Sequence, residues 1–330
     1  MLDEIDLHSL PVDEVIAQVG INQAISIKAV ASLLFTYRCT IACRHCLFNC
    51  SPKQPDAHVT LEDGVEFLRQ LRMTDRVIHI AGGEPMMYYD QMLAICRTAN
   101  EYGAAPHFFE TNASWCENDD VTRRRYEELK EAGLIGVYIS ADPYHQAFVS
   151  PHRRLRAFIR AVEIFGRENV AARDLSLGQL FELRQIGRDE SRLAEYSRKH
   201  PPRLIGRAGE TLARFYPDRP LEELANDGLW RGSSEDGSCR TEFDPDEMWE
   251  IHIDPYANIQ TCCGIIIGNL KEKPLLEWMK RGFHTDNELI RVICERGPYA
   301  YLDLAKERGF KPRQGYPQKC NLCWEVRKSL

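Results

Sequence analysis

No apolar run in this chain approaches the roughly 20 residues needed to span a bilayer. The longest, 29–35, is interrupted by Ser32. No membrane helix and no membrane partner are therefore expected. Nor is there a surplus of positive charge: 42 Lys and Arg face 49 Asp and Glu, for a net charge of −7. Neutralising a phosphate backbone requires excess Lys and Arg, so nucleic acid is not an expected partner. The arginine runs at 123–125 and 153–154 read as solvated helix faces. The opening Met1-Leu2-Asp3-Glu4-Ile5-Asp6 lacks the basic-then-apolar order of a secretory signal, which predicts a cytoplasmic protein. Internal repeats and low-complexity tracts are lacking too.

What is present is the composition of a globular protein: 44% hydrophobic and 28% charged residues over 330 positions. That length suits one large α/β domain with an appendage, and it buries a core without disulfide or metal staples. Cysteine is plentiful, at 12 residues. In a reducing compartment these read as metal ligands, catalytic groups or core residues rather than disulfides.

Residues 1–30 are polar and weakly patterned and read as a leader packing on the edge of the core. From position 31, strands and helices alternate. The runs 31–37, 77–81, 106–110, 135–140, 170–173 and 203–205 read as strands. Helical spacing marks 60–73, 90–102, 119–132, 153–165 and 188–199. Such alternation predicts βα units and a parallel sheet, open or closed into a barrel. Near 215 the texture changes. The stretch 216–237 is rich in Pro, Gly, Asp and Ser. After it, 248–254 and 259–262 read as a hairpin around Pro255-Tyr256-Ala257-Asn258, followed by a helix at 274–281. Two domains are expected, 31–215 and 216–330.

Just after the first predicted strand, Cys39, Cys43 and Cys46 follow a Cys-x3-Cys-x2-Cys spacing. Three thiolates hold three corners of a [4Fe–4S] cube and leave one iron open to a ligand, whereas four close it. Spacing alone leaves an open cluster, a closed cluster with Cys50 as fourth ligand, and a structural zinc in competition. Downstream, Ile78-His79-Ile80-Ala81-Gly82-Gly83-Glu84-Pro85 ends the next strand, where ligands collect in parallel α/β folds. Its glycines admit close backbone approach to a ligand, and Glu84 is a candidate acceptor for a ligand ammonium group.

On these cysteines, on Gly82 to Pro85 and on Glu110-Thr111-Asn112, residues 31–205 resemble the radical S-adenosylmethionine (SAM) superfamily. The resemblance implies an α/β fold, a partial (β/α)6 TIM-like barrel. It implies that Cys39, Cys43 and Cys46 hold a [4Fe–4S] cluster whose fourth iron is chelated by SAM. His45 fills the aromatic place where the family packs the adenine. Gly82, Gly83, Glu84 and Pro85 match the region holding the methionyl amino group. Thr111 and Asn112 end the next strand, and Ser140 is a candidate for the SAM ribose or carboxylate. The implied chemistry is one-electron cleavage of SAM to methionine and a 5′-deoxyadenosyl radical, which takes a hydrogen atom from a C–H bond. A reductant such as flavodoxin or ferredoxin is implied with it.

A second set of cysteines lies beyond this core: Cys239, Cys262, Cys263, Cys320 and Cys323. Neighbouring strand residues point to opposite faces, so only one of Cys262 and Cys263 is expected at a site, and Cys262 is favoured. Residues 253–278, with Asp254-Pro255-Tyr256-Ala257 and Ile267-Gly268-Asn269-Leu270, resemble the auxiliary-cluster extension called Twitch, or SPASM in its longer form. That implies a second [4Fe–4S] cluster on Cys239, Cys262, Cys320 and Cys323, acting as an electron conduit or clamp. A structural zinc suits the same ligands. The family commonly has glycine where this chain has Ala257. Gly206-Arg207-Ala208 also matches a segment common in the group, with no role derivable from sequence.

Three residues after strand ends are candidates for catalysis: Cys116 as a hydrogen-atom donor, and Tyr144 and His145 in substrate contact or proton transfer. A buried Cys116 and a satisfied His145 in a turn compete with those roles. Cys96 and Cys294 read as core. The expected function is oxidation, dehydrogenation or bond formation on a small-molecule or peptide substrate. About 30 residues before the core are fewer than a peptide-recognition domain of roughly 50 or more needs, which tilts against leader-peptide-dependent maturation. The rivals are a peptide or protein maturase, and a non-catalytic iron–sulfur or zinc protein in which Cys50 closes the first site.

Overall fold

The structure is a computed structural model that describes residues 6–224, 238–283 and 287–329. Most of the Pro- and Gly-rich stretch expected after 215 lies outside the described residues. The chain forms two compact units. The first takes 1–41, 51–187 and 252–257; the second takes 42–50, 188–251 and 258–330. The division therefore falls at 187/188 rather than near 215. The reason is local packing: the helix Glu190–Lys199 meets the turn Ala213–Phe215, and Ser197 and Tyr216 share a hydrogen bond of 2.7 Å.

In chain order the first unit contains α1 (Val12–Ile27), β1 (Val30–Leu34), α2 (Leu61–Arg72), β2 (Val77–Ala81), α3 (Tyr89–Glu101), β3 (Phe108–Thr111) and α4 (Asp119–Glu131). It continues with β4 (Gly136–Ile139), α5 (Pro143–Gln146), α6 (Pro151–Phe165), β5 (Val170–Ala171) and α7 (Leu177–Arg188). The five strands are parallel, in the order β5-β4-β3-β2-β1. This is an α/β core with a parallel sheet, as the alternation predicts. Helix starts follow ordinary capping: Thr60 Oγ1 accepts from the Asp63 N–H at 3.1 Å, and Asn118 Oδ1 from those of Asp120 and Val121. The sheet is covered on one face by α4 and α6, where Tyr126 packs between Phe109 and Phe165 at centroid distances of 6.2 and 5.6 Å.

Helix α1 covers the other face at the strand N-terminal ends, and here the expected leader is corrected. Val12, Val15, Ile16, Ile21 and Ala24 form one buried cluster with Val77 and Phe108. The pattern was hidden because α1 breaks at Gly20, whose φ of 74° lies outside the helical region, so its two halves present apolar residues in different registers. The run 203–205 is also not a strand. Pro201 and Pro202 give no donors to a ladder, and the Leu204 N–H goes to Gln318 Oε1 at 3.0 Å instead.

The second unit holds α8 (Glu190–Lys199), α9 (Gly206–Thr211), β6 (Arg219–Pro220), α10 (Leu221–Leu224) and the first half of the strand β7 (Glu250–Ile253). It goes on with β8 (Asn258–Thr261), β9 (Ile266–Asn269), α11 (Leu275–Arg281), α12 (Glu288–Glu307), β10 (Gly315–Tyr316) and α13 (Lys319–Arg327). The antiparallel pairs are β8 with β9 and β6 with β10. In the first unit's segment 252–257, Ala257 takes a φ of 66°, so alanine adopts the left-handed turn conformation here. Among the described residues no helix is long and apolar enough to cross a membrane.

Ile21 is fully buried in the α1 cluster. Ile21→Ala is expected to destabilise the protein by about 2–4 kcal/mol, the usual loss for a large-to-small change in a packed core. Denaturant unfolding measures this, and a change near zero would mean that α1 does not pack into the core.

Candidate functional site

Leaving β1, the chain crosses the end of β2 in close backbone contact. The Gly83 N–H donates to Thr36 O at 2.7 Å and the Glu84 N–H to Arg38 O at 3.1 Å. A Cβ on Gly83 would lie 1.9 Å from Arg38 O, and one on Gly82, whose φ is +123°, would lie 2.5 Å from Thr36 O. Only glycine lets the turn approach this closely, and the contact fixes the residue that follows, Cys39. Cys39 is held further by its N–H to Ser51 O at 3.2 Å, and Asn112 Nδ2 lies 3.5 Å from its sulfur.

Glu84 is fully buried beneath this turn. Its carboxylate accepts from Thr111 Oγ1 at 2.9 and 3.1 Å, from the Asn112 N–H at 2.9 Å and from the Met86 N–H at 3.3 Å. Burial nonetheless raises its pKa to about 7, against the pull of those donors. Both oxygens are thus engaged by donors of the chain itself. Pro85 opens a short 3₁₀ turn whose first residues the Glu84 carboxylate caps. Ser140, beyond β4, donates its N–H to Thr111 O at 3.1 Å. Cys39, Gly82 to Pro85, Thr111, Asn112 and Ser140 therefore gather at the strand C-terminal ends of the first unit.

Cys43, His45, Cys46 and Cys50 belong to the second unit. The Cys46 N–H donates to Cys43 O, and the Cys50 N–H lies 3.2 Å from the Cys46 sulfur. Hydrogen bonds from the Cys43 and Cys50 side chains and from the backbone of Cys50 and Phe48 hold the Cys46 thiol well below its usual pKa. The Gly-Arg-Ala segment acquires a role here. Gly206, with φ +55°, passes so close to the loop that a Cβ would meet Leu47 O at 2.1 Å. The Arg207 N–H donates to Cys46 O, while its guanidinium donates to Cys43 O and Cys50 O, both at 2.8 Å. Arg207 clamps the two ends of the cysteine loop. The N–H donors aimed at the sulfurs of Cys39 and Cys46 suit thiolates, so the residues fit an iron–sulfur cluster.

The second cysteine set lines one cavity in the second unit: Cys239, Cys263, Cys320 and Cys323, together with Arg203, Glu242 and Lys319. Cys262, the expected member of the adjacent pair, does not line it; its thiol faces Glu250 Oε2 at 3.9 Å. Strand alternation fails because β8 ends at Thr261 and both cysteines sit in the turn before β9. Arg203 and Glu242 form a buried ion pair at 2.7 Å, and the buried Lys319 donates to Ser238 O. Burial pushes the Cys263 thiol up to about 12 and raises Cys239 and Cys323 as well. Such thiols release their protons to a positive centre bound among them, so the donor set fits a metal or cluster.

The remaining candidates are dispersed. Cys116 is fully buried beside Thr122 and Tyr126, on the α4 side of the sheet, and burial raises its pKa strongly. Tyr144 is buried in α5. His145 Nδ1 lies 2.8 Å from Asp142 Oδ2, a carboxylate-oriented imidazole that suits proton transfer. Asp142, Arg203 and Glu242 were not singled out from sequence. Asp142 carried a signal, three residues ahead of His145 at a helix start; the Arg203–Glu242 pair, 39 residues apart, carried none.

Two outcomes check this geometry. Gly83→Ala is expected to displace Cys39 and cut iron loading of the first site by more than half, read from iron and sulfide per chain. Glu84 sets a pH dependence. A carboxyl with a raised folded pKa stabilises the fold below its ordinary value of 4.5, and that contribution disappears as the pH rises through 7. The stability of the wild type minus that of Glu84→Gln should therefore fall, by on the order of 3 kcal/mol, between about pH 4 and pH 8. Paired denaturant titrations measure it, and a flat difference contradicts the buried placement.

Comparison with known proteins places these features. Residues 33–176 match the family described as Radical SAM superfamily. No curated protein matches the chain in sequence. Among solved structures it is similar to BtrN in complex with AdoMet and 2-DOIA, at 14% identity over 90% of this chain and 92% of that one, with a TM-score of 0.43. It is also similar to SuiB of Streptococcus suis bound to S-adenosylmethionine, at 15% identity over 83% and 73% of the two chains, with a TM-score of 0.32. HydG, a maturase of the [FeFe]-hydrogenase, matches at 14% identity over 60% and 48%, with a TM-score of 0.33. The matched segment contains Cys39, Cys43, Cys46, the Gly82 to Pro85 turn and Asn112. Over residues 33–176 this chain is thus similar to the radical SAM superfamily, an enzyme family of SAM-dependent radical chemistry on a [4Fe–4S] cluster.

Proposed function

We propose that the protein removes a hydrogen atom from an organic substrate in a net two-electron oxidation, such as dehydrogenation or bond formation. A [4Fe–4S] cluster with SAM supplies, when bound, the 5′-deoxyadenosyl radical for that step. The observation that carries the reading is the pair of N–H groups directed at the sulfurs of Cys39 and Cys46, in a segment of the superfamily. Cys39, Cys43 and Cys46 are the ligands in this reading. Gly82 and Gly83 hold the turn that positions Cys39, and Arg207 holds the loop bearing the other two. His45 and Ser140 are the proposed contacts to SAM.

The second site is proposed to hold an auxiliary [4Fe–4S] cluster on Cys239, Cys263, Cys320 and Cys323, with Cys263 replacing Cys262. Its support is the shared cavity, which also carries the cations Arg203 and Lys319. Four thiolates on such a cluster bear net negative charge, and buried cations compensate it. With four protein ligands the cluster has no open iron, which suits electron transfer away from the substrate. A low-potential donor of the flavodoxin or ferredoxin type is the proposed reductant.

Anaerobic reduction with SAM is expected to give 5′-deoxyadenosine, and Cys39→Ser, Cys43→Ser and Cys46→Ser each to abolish it. Two cubane clusters require about eight irons per chain. Cys263→Ser should remove about four of them while Cys262→Ser removes none. About four irons and one zinc in the wild type would overturn the auxiliary cluster, and the absence of 5′-deoxyadenosine would overturn the radical reading.

A further inference from the structure

On one face, the strands of the first unit carry a diagonal run of polar side chains. Ser32 in β1 is the register partner of His79 in β2, and Glu110 in β3 is that of Tyr138 in β4. His79 Nδ1 lies 3.4 Å from Glu110 Oε1, so the four side chains make a diagonal row from β1 to β4. His79 is also the register partner of Phe108, which packs on α1. The row therefore lies on the α1 face of the sheet, opposite the face covered by α4 and α6. At its β1 end Ser32 Oγ stands 2.5 Å from His252 Nδ1.

An interior strand does not carry a carboxylate, two imidazoles, a phenol and a hydroxyl on one face without a use for them. None belongs to the cysteine sites. Ser32, His79 and His252 are buried, but Glu110 and Tyr138 are each 38% exposed. Below them α1 closes the floor against Val77 and Phe108. Above them stand Asn112 and Ser140, at the strand ends where the superfamily site gathers. Beside them Tyr138, Asp142 and Arg173 line an open depression at the β5 edge.

We propose that the row of Ser32, His79, Glu110 and Tyr138 is the recognition surface for a small polar substrate bearing a protonated amine, which the Glu110 carboxylate receives. The inference rests on the radical reading of the domain and names its substrate class. Glu110 is the one carboxylate in the row, so a cation is the complementary charge. Tyr138 is the donor beside it: partial burial and the charges of Glu110 and Asp142 push its phenol up to about 12, so it keeps its proton. Strands lie about 4.8 Å apart, which makes the row roughly 14 Å long. With its floor closed, that length matches a single polar molecule rather than a polymer threaded through the sheet.

The test uses the full-length, anaerobically reconstituted protein and a metabolite extract divided by cation exchange at pH 7. Protein is incubated with each fraction and washed by ultrafiltration, and the retained molecules are released and identified by mass spectrometry. The expected result is a retained species below about 500 Da in the cation-exchange-bound fraction. Its amount should fall at least tenfold in Glu110→Gln and several-fold in Tyr138→Phe, which deletes one hydroxyl from a half-exposed side chain and guards against misfolding of the first variant. Retention of an anionic or neutral species, of a peptide, or of nothing overturns the proposal, as does equal retention by Glu110→Gln and Tyr138→Phe. The same wild-type sample is reduced with SAM. A lack of 5′-deoxyadenosine there overturns the radical reading and leaves the binding result to be judged separately.

Discussion

Between Thr36 and Arg38 the backbone leaving β1 lies against the Gly82–Gly83 turn with no room for a side-chain carbon. Glu84 then ties the turn to β3 through Thr111 and Asn112, and the Ser140 N–H ties β3 to the end of β4. Four strand ends are thus stitched together, the middle two of them through one buried carboxyl. Removing a carboxylate from water is costly, and the donors from Thr111, Asn112 and Met86 offset that cost. The result is a rigid platform whose upper side carries Cys39 and the amide of Asn112.

The cysteines of the second unit show two electrostatic regimes. Cys46 accepts hydrogen bonds from its own loop, which favours a thiolate before anything binds. The thiols of the other cavity are buried and raised, so they favour protons until a metal centre displaces them. Leu47, one residue beyond Cys46, packs against the cluster of Ile205, Cys263 and Cys320. Within this unit the loop of the first cysteine motif and the second cysteine cavity thus share one apolar contact, and Gly206-Arg207 supports the loop from the other side.

Much of this was legible in the sequence, and what was not has definite causes. The βα alternation, the cysteine spacing and the Gly-Gly-Glu-Pro turn are local patterns, and the parallel sheet and the strand-end cluster follow from them. Helix α1 escaped because Gly20 splits its apolar stripe. Cys262 was preferred over Cys263 on strand alternation that does not extend past Thr261. Glu84 was read as a ligand group because its type suits an ammonium ion; its bonds to Thr111 and Asn112 were not legible, since they depend on where β3 ends, which no local pattern states. The contacts of Arg207 to Cys43 and Cys50 join residues more than 150 positions apart and are equally invisible to local reading.

The α1 face of the sheet is layered along the strands. Val77 and Phe108 form an apolar layer sealed by α1. The polar row begins level with Phe108, at Ser32 and His79, and rises to Glu110 and Tyr138, and the glycine turn with Asn112 and Ser140 follows at the strand ends. Each layer depends on the one below. Without the α1 seal, water would reach the middle layer from beneath and screen the charge of Glu110. Without a polar middle layer, a molecule entering from the strand ends would meet only alkyl groups, with nothing to fix its orientation. A radical takes whichever hydrogen is nearest, so orientation is the selectivity the protein must supply. On the proposal above, substrate choice resides in side chains within the last three residues of the strands rather than in the loops that bear the cysteines.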